Sequence, residues 1–297
     1  IFKAIKANAQ YEGYPLSTAL ARPLTALKVV EVAKSEGADA LAHGATGKGN
    51  DQFRFETVFK TKAPEMKIIA PIRELDMTRE ESIAYAKEKG IPIQLKPEKC
   101  FSIDENLWGR SIEGGVLEDP AVAPPEEIFE WTKIEATKPE IVELDFEGGV
   151  PVALNGSEKA PVELIQEMNI IAGRHGVGRI DMIEDRILGI KARENYECPG
   201  AVSLLTAHKN LEHLVLTRDE LKSKASVEPV WSELVYRGQW TDQKRSELDA
   251  LIDATQEKVE GKVKLKLDNK YCAVVSMESE RSLYSREAAS FDEKSTL

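Results

Sequence analysis

The chain has 297 residues, a formal net charge of -11, 42% hydrophobic residues and 31% charged residues. This composition is that of a folded globular protein, and the length favours two domains, each with its own core. The acidic balance disfavours nucleic acid and anionic membrane surfaces as partners. No apolar run approaches the roughly 20 residues that a membrane helix needs, and the start lacks the hydrophobic block of a signal peptide.

Cysteine usage and the two ends of the chain carry further information. Cys100, Cys198 and Cys272 lie far apart, with no CxxC pair and no Cys/His spacing suited to zinc. A cytoplasmic protein whose thiols are reduced and fill the core fits this usage. The chain begins at Ile1 without an initiator Met and ends at Leu297 without a helix-ending signal, so we expect both ends to be cut.

The first part of the chain begins with a predicted helix, strand and loop. Residues 24–36 carry apolar side chains at three-residue spacing, which predicts a helix, and Pro23 suits its first turn. Gly37 ends this helix, and residues 38–42 predict a short buried strand. A glycine-rich loop follows over residues 43–50.

A second strand and helix follow the first pair. Residues 67–72 predict the strand, and residues 77–89 predict the helix, with Thr78 and an acidic first turn at its start. Residues 91–93 begin the next extended piece. Strands that alternate with helices predict a parallel sheet, and such sheets bind ligands at the carboxyl ends of their strands, where the loop over residues 43–50 lies.

From about residue 97 the texture changes to proline-rich loops and then to hairpin and helix patterns. We therefore expect an α/β protein with a parallel-sheet domain over residues 1–96 and a second domain of α+β type over residues 97–297. The elements that predict the second domain are a hairpin over residues 141–154 with its turn at Gly148 and Gly149, a helix opened by Pro161, and a helix leading into a strand over residues 247–267.

The segment AHGATGKGNDQFRFE, residues 42–56, is the first candidate site. Its three closely spaced glycines let the backbone approach a ligand and direct N–H groups at an anion. It is not a Walker A loop, because Gly49 follows Lys48, and no GxGxxG can be drawn through it. A solvated glycine-rich turn is the plain alternative. Binding is favoured by four polar residues crowded behind a buried strand, namely Thr46, Asn50, Asp51 and Arg54.

Two further segments carry candidate chemistry. In residues 101–115, Ser102 and Ser111 are separated by acidic residues and a tryptophan, and taken alone this pattern is typical of a loop with capping serines. In residues 173–200, Glu184 and the following Asp185 lie among apolar residues. A carboxylate at the edge of an apolar strand needs a partner, for which a substrate ammonium is one candidate.

A histidine in the same segment invites a catalytic reading that its context does not favour. His175 stands beside two glycines, and a lone histidine in a glycine turn is more often structural. The sequence contains no GxSxG elbow and no HExxH motif, so hydrolase chemistry has no support.

Taken together, five segments closely resemble the argininosuccinate synthetase family. They occur in the family's order and cover nearly the whole chain, and their agreement is far too specific for chance. The segments are YPLSTALARPL (14–24), AHGATGKGNDQFRFE (42–56), DENLWGRSIEGGVLEDP (104–120), HGVGRIDMIEDRILGIKARENYECPG (175–200) and ELVYRGQW (233–240).

The resemblance implies an ATP-dependent ligase of arginine biosynthesis or the urea cycle that joins L-citrulline to L-aspartate. It implies a citrullyl-AMP intermediate, release of AMP and pyrophosphate, Mg²⁺ as a cofactor and a homotetramer. The expected architecture is a nucleotide-binding domain of the adenine nucleotide α-hydrolase type followed by a synthetase and multimerisation domain. The family's ATP loop is expected before Ile1, and its subunit-crossing C-terminal helix beyond Leu297. We therefore expect the chain as given to be inactive and prone to associate.

Roles for individual residues also follow from the resemblance, which assigns no catalytic residue and no metal ligand. Asp51 suits an ammonium of aspartate, Arg54 a carboxylate of citrulline and Glu184 its ammonium. The implied sites are Gly44 for ATP; Thr46, Asn50 and Asp51 for aspartate; and Tyr14, Asn50, Arg54, Ser102, Ser111, Glu184 and Tyr196 for citrulline.

One position departs from the family pattern. Where Ala19 stands, the family commonly has a serine that contacts citrulline. That contact is lost here, made by the backbone alone, or taken over by the neighbouring Thr18.

Two alternatives stay open at this stage. One is a fragment or diverged relative that folds and binds amino acids but cannot use ATP. The other is a different nucleotide-dependent, amide-forming enzyme of related fold, which explains the parallel sheet but not the five segments. Release of AMP and pyrophosphate in the presence of citrulline and aspartate separates these possibilities.

Overall fold

The computed structural model describes residues 1–92 and 101–290. In chain order the helices are α1 (Phe2–Lys6), α2 (Ser17–Ser35), α3 (Asp51–Lys62), α4 (Pro71–Glu74), α5 (Arg79–Glu88), α6 (Pro161–Gly173), α7 (Pro199–Val215), α8 (Arg218–Tyr236), α9 (Gln243–Gln256) and α10 (Arg286–Ala289). The strands are β1 (Ala40–Ala42), β2 (Lys67–Ile69), β3 (Ser102–Asn106), β4 (Gly109–Glu113), β5 (Glu140–Glu147), β6 (Val150–Leu154), β7 (Ser157–Glu158), β8 (Arg179–Asp185), β9 (Lys191–Glu197), β10 (Gly261–Asp268) and β11 (Tyr271–Glu278).

The first part of the chain contains a parallel strand pair covered by helices. Strands β1 and β2 pair in parallel, with Leu41 opposite Ile68. Helices α2 and α3 pack together and share a small core with Leu41, Val58 and Phe59. The predicted parallel sheet is therefore confirmed, and the glycine-rich loop runs from the carboxyl end of β1 to the start of α3, where a parallel sheet places its ligands.

Helix α2 begins earlier than its sequence pattern predicted. It starts at Ser17, so Pro23 lies inside the helix and the prediction that Pro23 occupies the first turn is wrong. The reason is visible in burial, because the buried face continues on the N-terminal side of the proline at Ala19 and repeats at Ala26 and Val30. This regular face stabilises the helix in spite of the missing N–H of the proline.

Strand β2 is shorter than predicted, and the predicted helix over residues 77–89 is confirmed. The strand ends at Ile69 because Pro71 begins helix α4, where its fixed φ suits the first turn. The predicted helix over residues 77–89 is α5, which Thr78 opens by forming a capping box with Glu81. Within the predicted extended piece over residues 91–93, residues 91 and 92 lie in no strand and residue 93 lies outside the described residues, as do Cys100 and the predicted domain boundary at residues 96 and 97.

The described residues from 101 to 290 form two antiparallel sheets and four long helices. One sheet has the order β11-β10-β5-β6-β7 and the other the order β3-β4-β9-β8. The predicted hairpin is β5 and β6, and both turn glycines, Gly148 and Gly149, have positive φ. The predicted helix and strand over residues 247–267 correspond to α9 and β10, and Pro161 opens α6. The expected α+β architecture is confirmed.

The reading of residues 101–115 as a loop with capping serines is wrong. Ser102 and Ser111 lie on β3 and β4, which form a hairpin. The hairpin is anchored at its turn by Trp108, which is fully buried in the main core. Burial of this large ring offsets the cost of ordering a segment rich in polar residues.

Strand alternation decides which side chains of the second sheet face the site. Side chains two residues apart lie on one face of a strand, and Tyr196 on β9 pairs with Ser111 on β4. The same face carries Glu194 on β9 and, from β8, Glu184. Within residues 1–92 and 101–290, no helix combines the length and apolar character of a membrane span.

Candidate functional site

A cavity of about 310 Å³ lies between the glycine-rich loop, the first turns of α2 and α3, and one face of the β3-β4-β9-β8 sheet. The structure brings every residue for which a binding role was predicted into its lining, from segments far apart in the chain. These residues are Tyr14, Gly44, Thr46, Asn50, Asp51, Arg54, Ser102, Ser111, Glu184 and Tyr196.

Glu184 forms one end of the cavity wall, and its carboxylate is almost fully buried, with 2% exposure. The hydroxyl of Tyr196 donates to Oε2 over 3.0 Å and that of Tyr236 to Oε1 over 3.1 Å. Burial raises the pKa of Glu184, while both hydroxyls and the charge of Arg54 lower it. The sequence indicated that this carboxylate needs a partner. The two hydroxyls fill part of that role, and because they are neutral they leave the negative charge available to a cationic group.

Arg54 places a positive charge on the same wall, and its side chain is 4% exposed. Its Nε donates to the carbonyl oxygen of Tyr236 over 3.0 Å, and its Nη1 donates to Oδ1 of Asp51 over 3.3 Å. The guanidinium carbon also lies 5.1 Å from the centroid of the Tyr236 ring. These contacts hold the guanidinium in one orientation, in which a planar carboxylate can pair with it.

Asp51 is the first residue of α3, where the positive end of the helix dipole favours a carboxylate. Arg22 joins it to the second sheet, because Nε of Arg22 donates to Asp51 and Nη2 donates to Asp104 on β3, each over 2.7 Å. Sequence reasoning missed Arg22 and Asp104. The spacing of Thr18 and Arg22, four residues apart on one helix face, is a signal that could have found the arginine.

Asn50 links the glycine-rich loop to the rest of the site. Its Nδ2 donates to the hydroxyl of Tyr236 over 2.9 Å, and its Oδ1 accepts from the backbone N–H of Ile187 over 3.0 Å. The loop itself is tied back by Gln52, whose Nε2 donates to the carbonyl of Gly47 over 2.6 Å. The side chain of Asn50 therefore stands between the loop and the second sheet in a fixed orientation.

An arginine with two glutamates completes the cavity wall, and sequence reasoning missed all three. Nη2 of Arg186 donates to Oε1 of Glu194 over 2.9 Å and also to Glu113. Burial, together with the nearby charges of Glu113 and Glu184, raises the pKa of Glu194 to about 9. The hydrogen bond from Arg186 opposes these effects and lowers the pKa of Glu194. Period-two alternation from Ser111 to Glu113, and from Tyr196 to Glu194, carried the missed signal.

Ala19 and its neighbour Thr18 differ in burial and in their relation to the cavity. Ala19 is completely buried in the main core and is not part of the cavity lining, whereas Thr18 is. Of the three alternatives for the lost serine contact, the geometry favours a side chain of Thr18 that reaches the cavity.

His175, Cys198 and Cys272 lie outside the cavity. His175 is buried, and its Nε2 lies 3.0 Å from Oε2 of Glu140, in agreement with a structural role. Burial raises the pKa of the thiols of Cys198 and Cys272, which disfavours the reactive thiolate. In the part of the chain that the structure describes, no group of three or more His, Cys, Asp or Glu side chains could hold a metal ion.

Fold and site together define a class of protein. A parallel sheet with a glycine-rich loop at its carboxyl edge is the arrangement by which α/β enzymes bind nucleotides. The cavity beside this loop presents buried carboxylates and a fixed arginine, which match the opposite charges of an amino acid zwitterion. The molecule is an enzyme that brings amino acids to a nucleotide-binding domain.

Comparison with known proteins narrows this class. The family model described as the arginosuccinate synthase N-terminal HUP domain matches residues 1–92, and that of the arginosuccinate synthase C-terminal domain matches residues 101–297. The chain is 65% identical to argininosuccinate synthase from Methanocaldococcus jannaschii and 59% identical to that from Methanococcus maripaludis, over 99% of this chain and 75% of each relative. The argininosuccinate synthase from Archaeoglobus fulgidus is 58% identical over 99% of this chain and 76% of its own length.

The chain therefore belongs to the argininosuccinate synthase family. It is a ligase that forms a carbon–nitrogen bond between citrulline and aspartate with ATP, in arginine biosynthesis. The fold and the function implied by the five sequence segments are both confirmed.

Proposed function

We propose that the cavity beside the glycine-rich loop binds citrulline and aspartate side by side and presents citrulline to ATP. The observation that carries the proposal is the joint placement of two carboxylates around one arginine. Asp51 contacts Arg54 directly, and Glu184 is joined to Arg54 through Tyr236. Two amino acids each need a carboxylate for the ammonium, and Asp51 and Glu184 are the two lining carboxylates that are connected to Arg54.

Citrulline is proposed to occupy the side of the cavity nearer the second sheet. Its ammonium pairs with Glu184, and its carboxylate pairs with Arg54, in charge-assisted contacts that direct the side chain toward the loop. The hydroxyls of Ser102 and Ser111 and the rings of the stacked pair Tyr14 and Tyr196, whose centroids are 4.2 Å apart, complete this half of the site.

Aspartate is proposed to occupy the side nearer α3. Its ammonium pairs with Asp51, while Thr46 and Asn50 contact its carboxylates. Asn50 also reaches citrulline, because its side chain stands between the two halves of the site. Gly44 lies where the loop leaves β1, and there the backbone approaches ATP.

The reaction requires activation because the carbon of a ureido group is a poor electrophile. The ureido oxygen attacks the α-phosphorus of ATP, the bond to the β-phosphate oxygen breaks, and pyrophosphate leaves. The amine of aspartate, after losing a proton, then attacks the ureido carbon, and AMP departs with the former ureido oxygen. The residues of the cavity contribute by positioning and by charge, which supply most of the rate in such transfers. Mg²⁺ is proposed to be held mainly by the phosphates of ATP, as this ion commonly is.

The larger assembly and the domain division are also proposals. We place the boundary between the nucleotide-binding and synthetase domains at residues 96 and 97. A homotetramer is supported by apolar side chains at the surface, such as Ile170, which is 68% exposed. A cytoplasmic location is supported by the buried thiol of Cys198 and the partly buried thiol of Cys272, both with a raised pKa. The net charge of -11 disfavours nucleic acid and membranes as partners.

Product analysis with labelled citrulline tests this function. The intact protein is incubated with ATP, aspartate and citrulline that carries ¹⁸O in the ureido group, and the products are analysed by mass spectrometry. We expect argininosuccinate, pyrophosphate and AMP that contains one ¹⁸O, with no argininosuccinate when any substrate is omitted. Formation of ADP and phosphate, or of unlabelled AMP, would overturn the proposed adenylation.

A further inference from the structure

We propose that Tyr236 is a positioning residue that couples the citrulline half of the site to the aspartate half. It is the last residue of α8 and is 1% exposed. The inference rests on the site assignment proposed above and adds to it a residue that forms no part of the cavity lining. It concerns how binding of one amino acid depends on the group that holds the other.

One hydroxyl serves both halves of the site. The hydroxyl of Tyr236 accepts from Nδ2 of Asn50 over 2.9 Å and lies 3.1 Å from Oε1 of Glu184 and 3.1 Å from the carbonyl oxygen of Asp185. A phenol hydroxyl has a single proton, which is shared between these two acceptors. The amide that contacts aspartate and the carboxylate that pairs with citrulline are thus joined through one oxygen atom.

The backbone of the same residue fixes the third ligand. The carbonyl oxygen of Tyr236 accepts from Nε of Arg54 over 3.0 Å. Two residues further on, Gly238 has φ +76°, and a Cβ there would lie 2.7 Å from Cα of Arg54. The end of α8 therefore packs directly on α3, and only glycine permits this close approach.

The ring of Tyr236 is held by a second tyrosine. It stacks on Tyr11 with 3.5 Å between centroids and 8° between planes. The hydroxyl of Tyr11 donates to the carbonyl of Asp185 over 2.8 Å. Because burial also raises the pKa of Tyr236, its hydroxyl keeps its proton in the physiological range and remains a donor. Packing fixes the ring, and three polar partners fix the hydroxyl. We therefore expect loss of the hydroxyl alone to disturb the orientation of its partners rather than the folding of the protein.

The proposed partner hydroxyl, that of Tyr196, makes a useful contrast. It donates to Oε2 of Glu184 and has no contact with Asn50 among the described hydrogen bonds. It also hydrogen-bonds Tyr14, so removing it affects only groups that are proposed to hold citrulline. Removing the hydroxyl of Tyr236 affects the carboxylate of Glu184 and the amide of Asn50 together, and therefore the binding of both amino acids.

Calorimetric titration of each amino acid into the intact protein and its variants tests the inference. We expect Tyr236→Phe to weaken citrulline and aspartate each by roughly three- to tenfold, the effect of one lost hydrogen bond. Tyr196→Phe is expected to weaken citrulline alone. Tyr11→Phe, which removes a neighbouring hydroxyl and keeps its ring, is the matched control and leaves both affinities within about twofold. Thermal unfolding of the same samples identifies a variant that has lost its fold.

A further variant separates failure of the inference from failure of the site assignment. If Glu184→Gln leaves citrulline binding unchanged, the assignment of the citrulline site is wrong. If Glu184→Gln weakens citrulline while Tyr236→Phe changes neither affinity, or only one of them, the site stands and the coupling through Tyr236 is overturned. Equal losses in Tyr236→Phe and Tyr11→Phe would likewise overturn it, because they would reflect general loosening of the tyrosine stack.

Discussion

Nε of Arg22 donates to Oδ2 of Asp51 over 2.7 Å. This contact leaves Oδ1 of Asp51 beside Nη1 of Arg54, so two arginines set the orientation of one carboxylate. Because Arg22 also donates to Asp104 on β3, the orientation of Asp51 depends on contact between the two parts of the chain. An oriented carboxylate loses little freedom when an ammonium binds to it.

Asp51→Asn is expected to weaken aspartate far more than citrulline. The amide keeps the shape of the side chain but cannot form a charge-assisted contact with an ammonium, a loss on the order of 2–4 kcal/mol. Steady-state KM values for the two amino acids measure the difference. Asp104→Asn is the comparison variant: Asp104 pairs with the same Arg22 but has no proposed substrate contact, so we expect a smaller rise in the aspartate KM than in Asp51→Asn. An unchanged aspartate KM with a raised citrulline KM would show that the two halves of the site are interchanged.

Thr18→Val is expected to raise the citrulline KM about two- to tenfold with kcat little changed. Valine keeps the branched shape and removes one hydroxyl, which contributes about 0.5–1.5 kcal/mol when it bonds a ligand. The control is Ala19→Ser, which restores the residue common in the family at a position that is fully buried here. If the serine variant improved citrulline binding while Thr18→Val had no effect, the geometry that favours Thr18 would not describe the bound enzyme.

Glu194→Gln is expected to make stability less dependent on pH. Burial and the neighbouring carboxylates raise the pKa of Glu194 to about 9 in the folded protein, above its ordinary value of 4.5. Between these values the folded state holds a proton that the unfolded state lacks, so the free energy of unfolding falls as pH rises through this window. The glutamine variant has no proton to lose and therefore lacks this contribution to the pH dependence.

Urea unfolding between pH 5.5 and 8.5 measures this effect. The stability of Glu194→Gln relative to the wild type should increase steadily with pH. Glu113→Gln removes only one of the causes of the shift and should give a smaller change in slope. Parallel curves for Glu194→Gln and the wild type would show that Glu194 loses its proton near its ordinary pKa.

Lys224→Met is expected to destabilise the protein by about 3–5 kcal/mol, because it leaves buried carboxylates without their cation. The side chains of Lys224 and Glu212 are 1% and 2% exposed, and Nζ lies 2.9 Å from Oε1. Lys258→Met is the matched control, since its pair with Glu220 is partly exposed and exposed pairs contribute about 0–1 kcal/mol. Equal midpoints of chemical unfolding for the two variants would contradict this difference.

Local features of the fold followed from the sequence wherever a short-range signal decided them. The helix start at Thr78 and the glycine turn at Gly148 each depend on signals within a few residues, and both were predicted. Helix α2 was predicted too short because Pro23 outweighed a buried face that only tertiary packing makes favourable. Likewise, the hairpin of β3 and β4 is stabilised by burial of Trp108, and the polar sequence around this residue does not reveal that burial.

Only the folded structure shows which residues come together around the cavity. The resemblance to a known family supplied the ten residues with predicted roles, and the structure places all of them around one cavity. The resemblance gave no reason to single out Tyr236. This residue lies 52 residues beyond Glu184 and contacts it only through tertiary structure. Glu194 was within reach of a spacing argument, because it stands two residues from the assigned Tyr196 on one strand. Arg22 stands one helical turn from Thr18, which was only one of three alternatives for the lost serine contact.

The structure of the intact protein with both citrulline and aspartate bound, determined by crystallography, tests the central claim most directly. We expect citrulline with its ammonium within hydrogen-bond distance of Glu184 and its carboxylate on Arg54, and aspartate with its ammonium on Asp51. The two amino acids in exchanged positions, or either one bound outside the cavity beside the glycine-rich loop, would contradict it.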